Sequence, residues 1–385
     1  MKPLAKVTQL KGSGIRRMFD LAKGKENVIS FVLGEPDFVT PEHIRAAAKT
    51  ALDEGKTHYT DNAGIIELRK SIAKKVFEFE NAVYDPDGEI IVSTGAMEVI
   101  YLAMVALVDP GDEVLISNPC YANYYGQVSL RHGIPVPVPV FEKNGFNLRY
   151  DDMKANITPK TKAILVNSPC NPTGAVADNI ALNDIARIAK EFDLYVIFDA
   201  VYKHLVYEGF EYHNIATMPG MRERTLYVDS LSKSHAMTGW RIGYMCGPRE
   251  IISLLPKLHE FMPSCVSTFS QYGAVEAFEN GDQDIENMFK IYERRRQVLL
   301  EEISRIPKLS CNMPGGAFYA FVNIKKTGLY SQEFAERLLD DQGVVVAPGN
   351  AFGSEGEGFI RISYATSEDN IRNGMSRIAA FVSSL

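Results

Sequence analysis

The sequence contains no apolar run near the ~18 residues that a transmembrane helix needs, so no membrane segment is expected. Its first residues also lack the hydrophobic core of a secretory signal peptide. The five cysteines are widely spaced without a CxxC pair, and the seven histidines show no metal-ligand spacing. These absences predict free thiols, a cytoplasmic location and no metal site.

An excess of basic charge is also missing. The formal net charge is -7 over 385 residues, and the longest basic run is Arg294-Arg295-Arg296, within a helical pattern. Nucleic-acid binding is therefore not expected. Apolar residues make up 46% and charged residues 23%, as in ordinary globular proteins, and the length allows one large domain and a smaller one.

From Glu89 onward, strand-like runs alternate with helical patterns. The predicted strands cover residues 89–92, 113–116, 135–138, 163–166, 194–198, 226–228 and 242–245. Most are continuously apolar, which is typical of strands covered on both faces. The pattern predicts an α/β fold with a mostly parallel seven-stranded sheet between helices. Upstream, Thr40-Pro41-Glu42 predicts the start of a helix that Thr40 caps.

Beyond about residue 263 the alternation ends. A single apolar stripe predicts a long helix near 283–304, and a strand, helix, strand, strand, helix pattern follows. We therefore expect a large α/β domain over 46–275. Residues 1–45 and 276–385 are expected to form a smaller α+β domain that the long helix joins to it.

Ligands of open α/β sheets bind beyond the carboxyl ends of the strands, so residues at those positions are candidates. Gly95 follows the first strand, and the amides of Ala96 and Met97 would favour an anion at a helix start, although Gly95 also fits a plain tight turn. Tyr121 follows the second strand and could stack on a planar ring or pack in the core.

Asn171 lies after the fourth strand, in a segment where Pro169 and Pro172 permit cis peptide bonds. Asp199 ends the fifth strand and is followed by Tyr202. A carboxylate is costly to bury without a cation, so Asp199 indicates a ligand or else caps a following helix.

Lys233 lies in a predicted turn between two apolar strands, although lysine prefers water. Ser230, Ser232 and Arg241 could hold a phosphate while the lysine amine forms a covalent bond, or the segment could be a basic surface loop. The whole set fits a cofactor with a phosphate, a stacked ring, a ring nitrogen and an aldehyde. Pyridoxal 5′-phosphate has all four, whereas metal and nicotinamide cofactors leave Lys233 and Asp199 unexplained.

Four motifs carry a resemblance to a known family. They are Ser-Pro-Cys-Asn-Pro-Thr-Gly at 168–174, Asp-Ala-Val-Tyr at 199–202, Ser-Leu-Ser-Lys at 230–233 with Arg241, and Phe-Ile-Arg-Ile-Ser at 359–363. Nearly end to end, the chain resembles the class I/II aminotransferases of the aspartate-aminotransferase superfamily, fold type I.

The resemblance implies a role for each residue toward the cofactor. Lys233 would form the internal aldimine and later move a proton between the substrate Cα and the cofactor, and Asp199 would keep the pyridine nitrogen protonated. Tyr202 and Asn171 would bond the phenolic oxygen, and Tyr121 would stack on the ring. The phosphate ligands would be Ala96 and Met97 after Gly95, with Ser230, Ser232 and Arg241.

The resemblance also implies how substrate and subunits bind. Arg361 would bind the substrate α-carboxylate, with Gly34 and Asn171 against the substrate. Tyr59 would reach the phosphate of a neighbouring subunit, which predicts a homodimer with shared sites. Relatives that favour aspartate carry a second cation for the side-chain carboxylate; none can be placed from the sequence, and Met97 stands where some have lysine.

We therefore predict a pyridoxal-phosphate-dependent transaminase that acts on an α-amino acid and a 2-oxo acid by a ping-pong mechanism. The alternative is a carbon–sulfur β-lyase of the same fold type. The aminotransferase-like half of a transcriptional regulator is disfavoured, because 33 residues before Gly34 are too few for a helix-turn-helix domain. The preferred amino acid and oxo acid stay open.

Overall fold

The structure is a computed structural model that describes residues 14–385. Predictions that concern residues 1–13, including the start of the smaller domain, lie outside the described residues. Across 14–385, none of the helices combines the length and the apolar character needed to cross a membrane.

Three helices and a short strand precede the large sheet in the described chain. They are α1 Gly14–Ala22, β1 Ile29–Ser30, α2 Glu42–Asp53 and α3 Ile66–Glu80. The prediction that Thr40 caps α2 is wrong, because Pro41 holds the cap position without a side-chain bond. The Thr40 hydroxyl instead donates to the carbonyl of Ala236, 2.6 Å away, so a tertiary contact replaces the local one.

Within residues 14–385, seven strands form the large sheet, and each corresponds to one predicted strand. They are β2 Ile90–Ser93, β3 Glu113–Asn118, β4 Ile134–Pro139, β5 Thr161–Asn167, β6 Tyr195–Asp199, β7 Thr225–Ser230 and β8 Gly243–Cys246. Their order is β2-β8-β7-β6-β5-β3-β4, and β8 alone runs antiparallel to its neighbours within the sheet. The predicted fold class is confirmed.

Helices cover both faces of this sheet. They are α4 Ala96–Leu107, α5 Asn123–Leu130, α6 Tyr150–Lys154, α7 Asn179–Glu191, α8 Leu231–Ser234, α9 Arg249–Ile252, α10 Leu255–Glu260 and α11 Thr268–Asn280. Leu115 and Ile116 are adjacent on β3 but belong to different apolar clusters. Since neighbouring strand residues point to opposite faces, both faces are buried, which explains the continuous apolar runs.

The remaining elements surround a smaller antiparallel sheet of order β12-β13-β10-β9. They are α12 Asp282–Ser304, β9 Ser310–Cys311, β10 Tyr319–Asn323, α13 Ser331–Gln342, β11 Val344–Val345, β12 Ala347–Pro348, β13 Phe359–Ser363 and α14 Glu368–Ser383. The first of the two consecutive strands in the predicted pattern, expected over residues 343–347, forms two short strands separated at Val346. Its first half pairs with β1 and its second half pairs with β13, so the chain changes partners there.

The topology brings the ends of several strands together. Strands β5, β6 and β7 are parallel, and Asn167 at the end of β5 is in register with Asp199 at the end of β6. On the smaller sheet, Phe321 of β10 faces Arg361 of β13. The Arg361 guanidinium bonds Asn171, four residues after the end of β5, so the carboxyl edge of the large sheet lies beside β13.

Candidate active site

A cavity of about 570 Å³ opens at this carboxyl edge. Its wall includes all the predicted site residues except Gly95 and Tyr59. They are Gly34, Ala96, Met97, Tyr121, Asn171, Asp199, Tyr202, Ser230, Ser232, Lys233, Arg241 and Arg361. Helix α1 adds Ile15, Arg16 and Phe19 at the mouth of the cavity.

Lys233 lies on the short helix α8, which replaces the predicted turn. Ser230 caps this helix by accepting a hydrogen bond from the amide of Ser232 at 3.0 Å. The Lys233 ammonium donates to the carbonyl of Gly34 at 2.5 Å. Burial lowers the lysine pKa to about 8, and the charge of Glu35 opposes this shift. At neutral pH about a tenth of such amines are unprotonated, which is the form that attacks an aldehyde.

Asp199 is a buried carboxylate in the cavity wall, and among residues 14–385 it takes part in no ion pair. Its Oδ2 accepts from the Tyr124 hydroxyl at 2.6 Å, and its Oδ1 accepts from the amide of Val201 at 3.2 Å. No helix follows directly, so the capping alternative is wrong. Burial raises the pKa of Asp199 to about 6, against both hydrogen bonds. Such a carboxylate suits a cationic N–H group.

The predicted anion site lies at the start of helix α4. Gly95 precedes this helix with a positive φ of 91°. The first amides of a helix have no partner within it, so those of Ala96 and Met97 suit an anion. Arg241 lies against this turn, where its Nη2 donates to the carbonyl of Thr94 at 3.2 Å. A Cβ on Gly95 would lie 2.9 Å from Cζ of Arg241, so only glycine leaves room for the guanidinium.

Ser230 and Ser232 line the same cavity at the start of helix α8. Their hydroxyl oxygens are 2.8 Å apart, and the Ser230 oxygen is also 2.8 Å from the carbonyl of Ile242. The Ser230 hydroxyl therefore holds helix α8 in place, and Ser232 lines the cavity beside it.

Arg361 is buried in the part of the cavity wall that β13 of the smaller sheet contributes. Its Nη1 donates to Oδ1 of Asn171 at 2.9 Å and its Nη2 donates to the carbonyl of Val32 at 2.5 Å. Its Nε is buried and has no acceptor among residues 14–385. Since neither acceptor is charged, the guanidinium suits a carboxylate.

Two tyrosines complete the wall next to Asp199 and Arg361. The hydroxyl of Tyr202 lies 2.9 Å from that of Tyr319. The hydroxyl of Tyr121 accepts from Nδ2 of Asn123 at 2.8 Å, and its ring meets that of Tyr124 edge to face. The structure thus places Tyr121 at the cavity wall, and its stacking on a cofactor ring stays a prediction.

Sequence reasoning missed Tyr124, Tyr319 and Arg16. Tyr124 is three residues after Tyr121, and its amide donates to the Tyr121 carbonyl at 3.1 Å, so a one-turn spacing from the predicted stacking residue could have indicated it. Tyr319 and Arg16 have no such local signal, because each comes from an element distant in the chain from Lys233. Their place in the cavity depends on how the smaller sheet and α1 pack against the large sheet.

Tyr59 lies apart from the cavity of its own chain. Its side chain is 90% exposed, and the neighbouring carbonyl of His58 accepts from the Thr268 hydroxyl at 2.6 Å. The loop is thus anchored to α11 while the Tyr59 ring points into solvent. Its role toward a neighbouring subunit stays a prediction.

The cavity residues fit pyridoxal 5′-phosphate. One wall offers a helix start and Arg241 for a phosphate, and Lys233 offers a buried amine of lowered pKa for an aldehyde. For a ring nitrogen, Asp199 offers a buried carboxylate that forms no ion pair within the described part of the chain. Each of these groups would be costly to bury without such a partner.

Comparison with known proteins gives the same answer. Residues 26–378 match the model of the family "Aminotransferase class I and II". An aspartate aminotransferase of Pyrococcus abyssi is 45% identical over 368 residues, 95% of this chain and 94% of that protein. Aromatic-amino-acid aminotransferase 2 of Thermococcus litoralis is 42% identical, also over 95% and 94%.

A solved structure, aspartate aminotransferase from Thermus thermophilus with maleate, superposes with a TM-score of 0.93 at 37% identity. The match covers 99% of this chain and 100% of that one. The transaminase prediction is confirmed, and the lyase alternative is not favoured. The chain belongs to the class I and II aminotransferases and is an enzyme that depends on pyridoxal 5′-phosphate.

Proposed function

We propose that Lys233, Asp199 and Tyr202 are the catalytic residues of this transaminase. The observation that carries the proposal is the amine of Lys233, whose pKa burial lowers to about 8, in one cavity with the buried carboxylate of Asp199, which forms no ion pair within residues 14–385. When bound, pyridoxal phosphate supplies an aldehyde for that amine and a ring that accepts the electrons left when Cα loses its proton.

Each catalytic side chain has a task that its surroundings support. Lys233 Nζ holds the cofactor and, once released by the amino acid, accepts the proton that leaves the substrate Cα. Its lowered pKa keeps a usable fraction neutral at physiological pH. Asp199 bonds the ring nitrogen and stabilises its proton, and the Tyr202 hydroxyl donates to the phenolic oxygen.

The remaining cofactor contacts follow the shape of the cavity. Tyr121 packs on the ring face, and Asn171 bonds the phenolic oxygen beside Tyr202. The phosphate is bound by the residues at the start of α4 and around α8. These are Ala96 and Met97, which Gly95 precedes, together with Ser230, Ser232 and Arg241.

Arg361 binds the substrate α-carboxylate, with Asn171 and Gly34 on either side. The buried Nε of Arg361, which lacks an acceptor within the described chain, supports this assignment. Gly34 lines the cavity where a Cβ would lie 2.9 Å from the Tyr319 hydroxyl, so a side chain there would move that tyrosine. We therefore infer that the substrate passes over the backbone of Gly34.

For the substrate side chain we propose a dicarboxylic acid such as aspartate or 2-oxoglutarate, which Arg16 recognises. The other cations of the described cavity wall, Lys233, Arg241 and Arg361, already have roles. Arg16 lies at the mouth, where its Nε is 3.4 Å from Asp20 in an exposed pair that a substrate carboxylate can replace. The aspartate aminotransferases among the relatives, one of them solved with maleate, support this class.

Ile15, Phe19 and Tyr121 give the same cavity an apolar side. We propose that aromatic amino acids use this side as second amino donors, as the aromatic-amino-acid relative suggests. Arg16 would then turn toward solvent, which its exposure of 79% allows.

We also propose a cytoplasmic homodimer, with the domain boundaries expected from the sequence. Tyr59 would reach the partner's phosphate site, and its 90% exposure supports a contact between copies. Leu254, Phe261 and Met262 are exposed apolar residues in the segment that bonds the Tyr59 loop through Asn62. All five cysteines are free thiols, as a reducing compartment requires.

A half-reaction tests the transaminase assignment at this site. Holoenzyme mixed with aspartate and no oxo acid should release one equivalent of oxaloacetate per site and stop. Catalytic release of ammonia and pyruvate from an amino acid would contradict it. Lys233→Ala protein should release none, and a wild-type rate in that variant would overturn the assignment of Lys233.

A further inference from the structure

Tyr319 lies between the two halves of the active site. It begins strand β10 of the smaller sheet, whereas Tyr202 follows strand β6 of the large sheet. Their hydroxyl oxygens are 2.9 Å apart, and both side chains are buried. This hydrogen bond therefore joins the cofactor side of the cavity to the strand pair that carries Arg361.

The protonation of Tyr319 and Tyr202 determines whether Tyr202 can donate a hydrogen bond into the cavity. Burial raises the pKa of Tyr319 to about 12 and the pKa of Tyr202 well above its ordinary value, so both phenols are protonated at neutral pH. One proton forms the bond between them. If Tyr319 donates, Tyr202 keeps its own proton for an acceptor in the cavity.

The ring of Tyr319 has a second contact. The Arg361 guanidinium lies over it, with Cζ 4.5 Å from the ring centroid. This cation–π contact restrains one face of the guanidinium, in addition to the two hydrogen bonds that Arg361 donates to Asn171 and Val32. The ring therefore restricts the guanidinium from below, independently of the hydroxyl.

Gly34 fixes the hydroxyl of Tyr319 from another side. A Cβ at Gly34 would lie 2.9 Å from that hydroxyl oxygen, so the tyrosine occupies space that glycine leaves open. The carbonyl of Gly34 also accepts from Lys233. Tyr319 is thus packed against the segment that meets the lysine.

We propose that Tyr319 is a positioning residue with two separable functions. Its hydroxyl donates to Tyr202 and so directs the Tyr202 proton to the phenolic oxygen of the cofactor, and its ring holds Arg361 in place for the substrate α-carboxylate. The proposal rests on the roles proposed above for Tyr202 and Arg361.

Two variants separate the functions in the holoenzyme. Tyr319→Phe removes the hydroxyl and keeps the ring. The pKa read from the absorbance of the lysine-bound cofactor should rise by about half a unit to one unit, because Tyr202 then donates more weakly to an anionic oxygen. The KM for amino acids should stay within about twofold, since the ring remains under Arg361.

Tyr319→Leu removes the ring as well. The KM for amino acids should then rise about 3- to 30-fold, as expected for the loss of a buried cation–π contact. A matched control is Tyr207→Phe, because the hydroxyls of Tyr207 and Tyr364 form another buried pair 3.3 Å apart that does not line the cavity. That variant should change neither the spectral pKa nor the KM.

The variant Tyr202→Phe separates a failure of the role proposed for the Tyr319 hydroxyl from a failure of the role proposed for Tyr202. If it raises the spectral pKa and Tyr319→Phe does not, the role of the Tyr319 hydroxyl is overturned while that of Tyr202 stands. If Tyr202→Phe leaves the pKa unchanged, the role of Tyr202 and the inference built on it both fail. Equal increases of KM in Tyr319→Phe and Tyr319→Leu would refute the separate function of the ring.

Discussion

The hydroxyl of Tyr124 donates to Oδ2 of Asp199 across 2.6 Å, and both side chains are buried. Burial raises the pKa of Asp199 to about 6, and this bond is the largest influence that opposes the shift. Tyr124 therefore keeps the carboxylate ionised and in position for the cofactor nitrogen.

Tyr124→Phe should weaken cofactor binding about 10-fold at pH 7, because a bond to a charged acceptor is lost in a buried site. The loss should increase toward pH 6, since the pKa of Asp199 rises further without the bond. Fluorescence titration of cofactor-free protein with pyridoxal phosphate measures both effects. Tyr125→Phe is the control on the same helix, because Tyr125 contacts the carbonyl of Ser117 and not Asp199; equal affinities in the two variants would contradict the role of Tyr124.

Lys233→Met should stabilise the cofactor-free protein by about 3 kcal/mol at pH 7. The lysine pKa falls from 10.5 to about 8 on folding, so burial of the charged form disfavours the folded state at neutral pH. Above pH 10.5 Lys233 is neutral in both the folded and the unfolded state and does not affect the free energy of unfolding. As the pH falls from 10.5 to 8, only the unfolded state takes up the proton, and the folded state loses stability. The gain of the variant should therefore vanish above about pH 10.5, as urea unfolding at several pH values can show.

Lys203→Met is the contrasting control. This buried lysine lies 2.6 Å from Glu80 and 3.0 Å from Asp229, and these carboxylates hold its pKa above the ordinary value. Its removal should destabilise the protein by about 3–5 kcal/mol, because two buried carboxylates lose their cation. If both variants change stability in the same direction, the account of Lys233 is wrong.

Arg16→Gln should raise the KM for aspartate and 2-oxoglutarate about 5- to 50-fold and leave the KM for phenylalanine within twofold. The reason is that only dicarboxylic substrates present an anion to Arg16. Steady-state kinetics with each substrate measure the change. Arg17→Gln is the matched control, because Arg17 pairs with Glu336 at 2.7 Å and does not line the cavity. An equal loss for phenylalanine would show that Arg16 only holds α1 in place.

Gly95→Ala should reduce affinity for pyridoxal phosphate at least 10-fold and affinity for pyridoxal much less. The added Cβ would displace Arg241 from the anion site, which only the phosphate uses. Gly111→Ala is a close control, since Gly111 has the same φ of 91° but no atom within 4 Å of the new Cβ. Both variants should lose on the order of 1–3 kcal/mol of stability from backbone strain. A similar loss of pyridoxal affinity would contradict the assigned phosphate site.

Much of the fold could be predicted because burial on both faces imposes a pattern along the chain itself. The continuous apolar runs of the seven strands are such a pattern, and residues at their carboxyl ends, such as Asp199, must then lie near one another. Thr40 shows the limit of local rules. Its hydroxyl donates to the carbonyl of Ala236, nearly 200 positions later. Helix-capping rules consider only neighbouring residues and cannot include a competing acceptor so distant in the sequence.

The cavity residues that were not predicted share a physical cause. Tyr319 comes from β10 and Arg16 comes from α1, and both reach the site only through packing between elements distant in sequence. The local sequence gives no sign of a function for either residue, since a tyrosine is common in an apolar strand and an arginine is common in an amphipathic helix. Their functions depend on spatial neighbours such as Tyr202 and Arg361, which are distant in the sequence.

Lys233 is the amine that we propose holds the cofactor. Borohydride reduction of the resting holoenzyme, followed by peptide mass spectrometry, identifies this amine, because reduction fixes the cofactor to the residue that binds it. We expect one pyridoxyl phosphate group per chain, on the peptide that contains Lys233. A label on another lysine, such as the buried Lys203, or an unlabelled Lys233 peptide would contradict it.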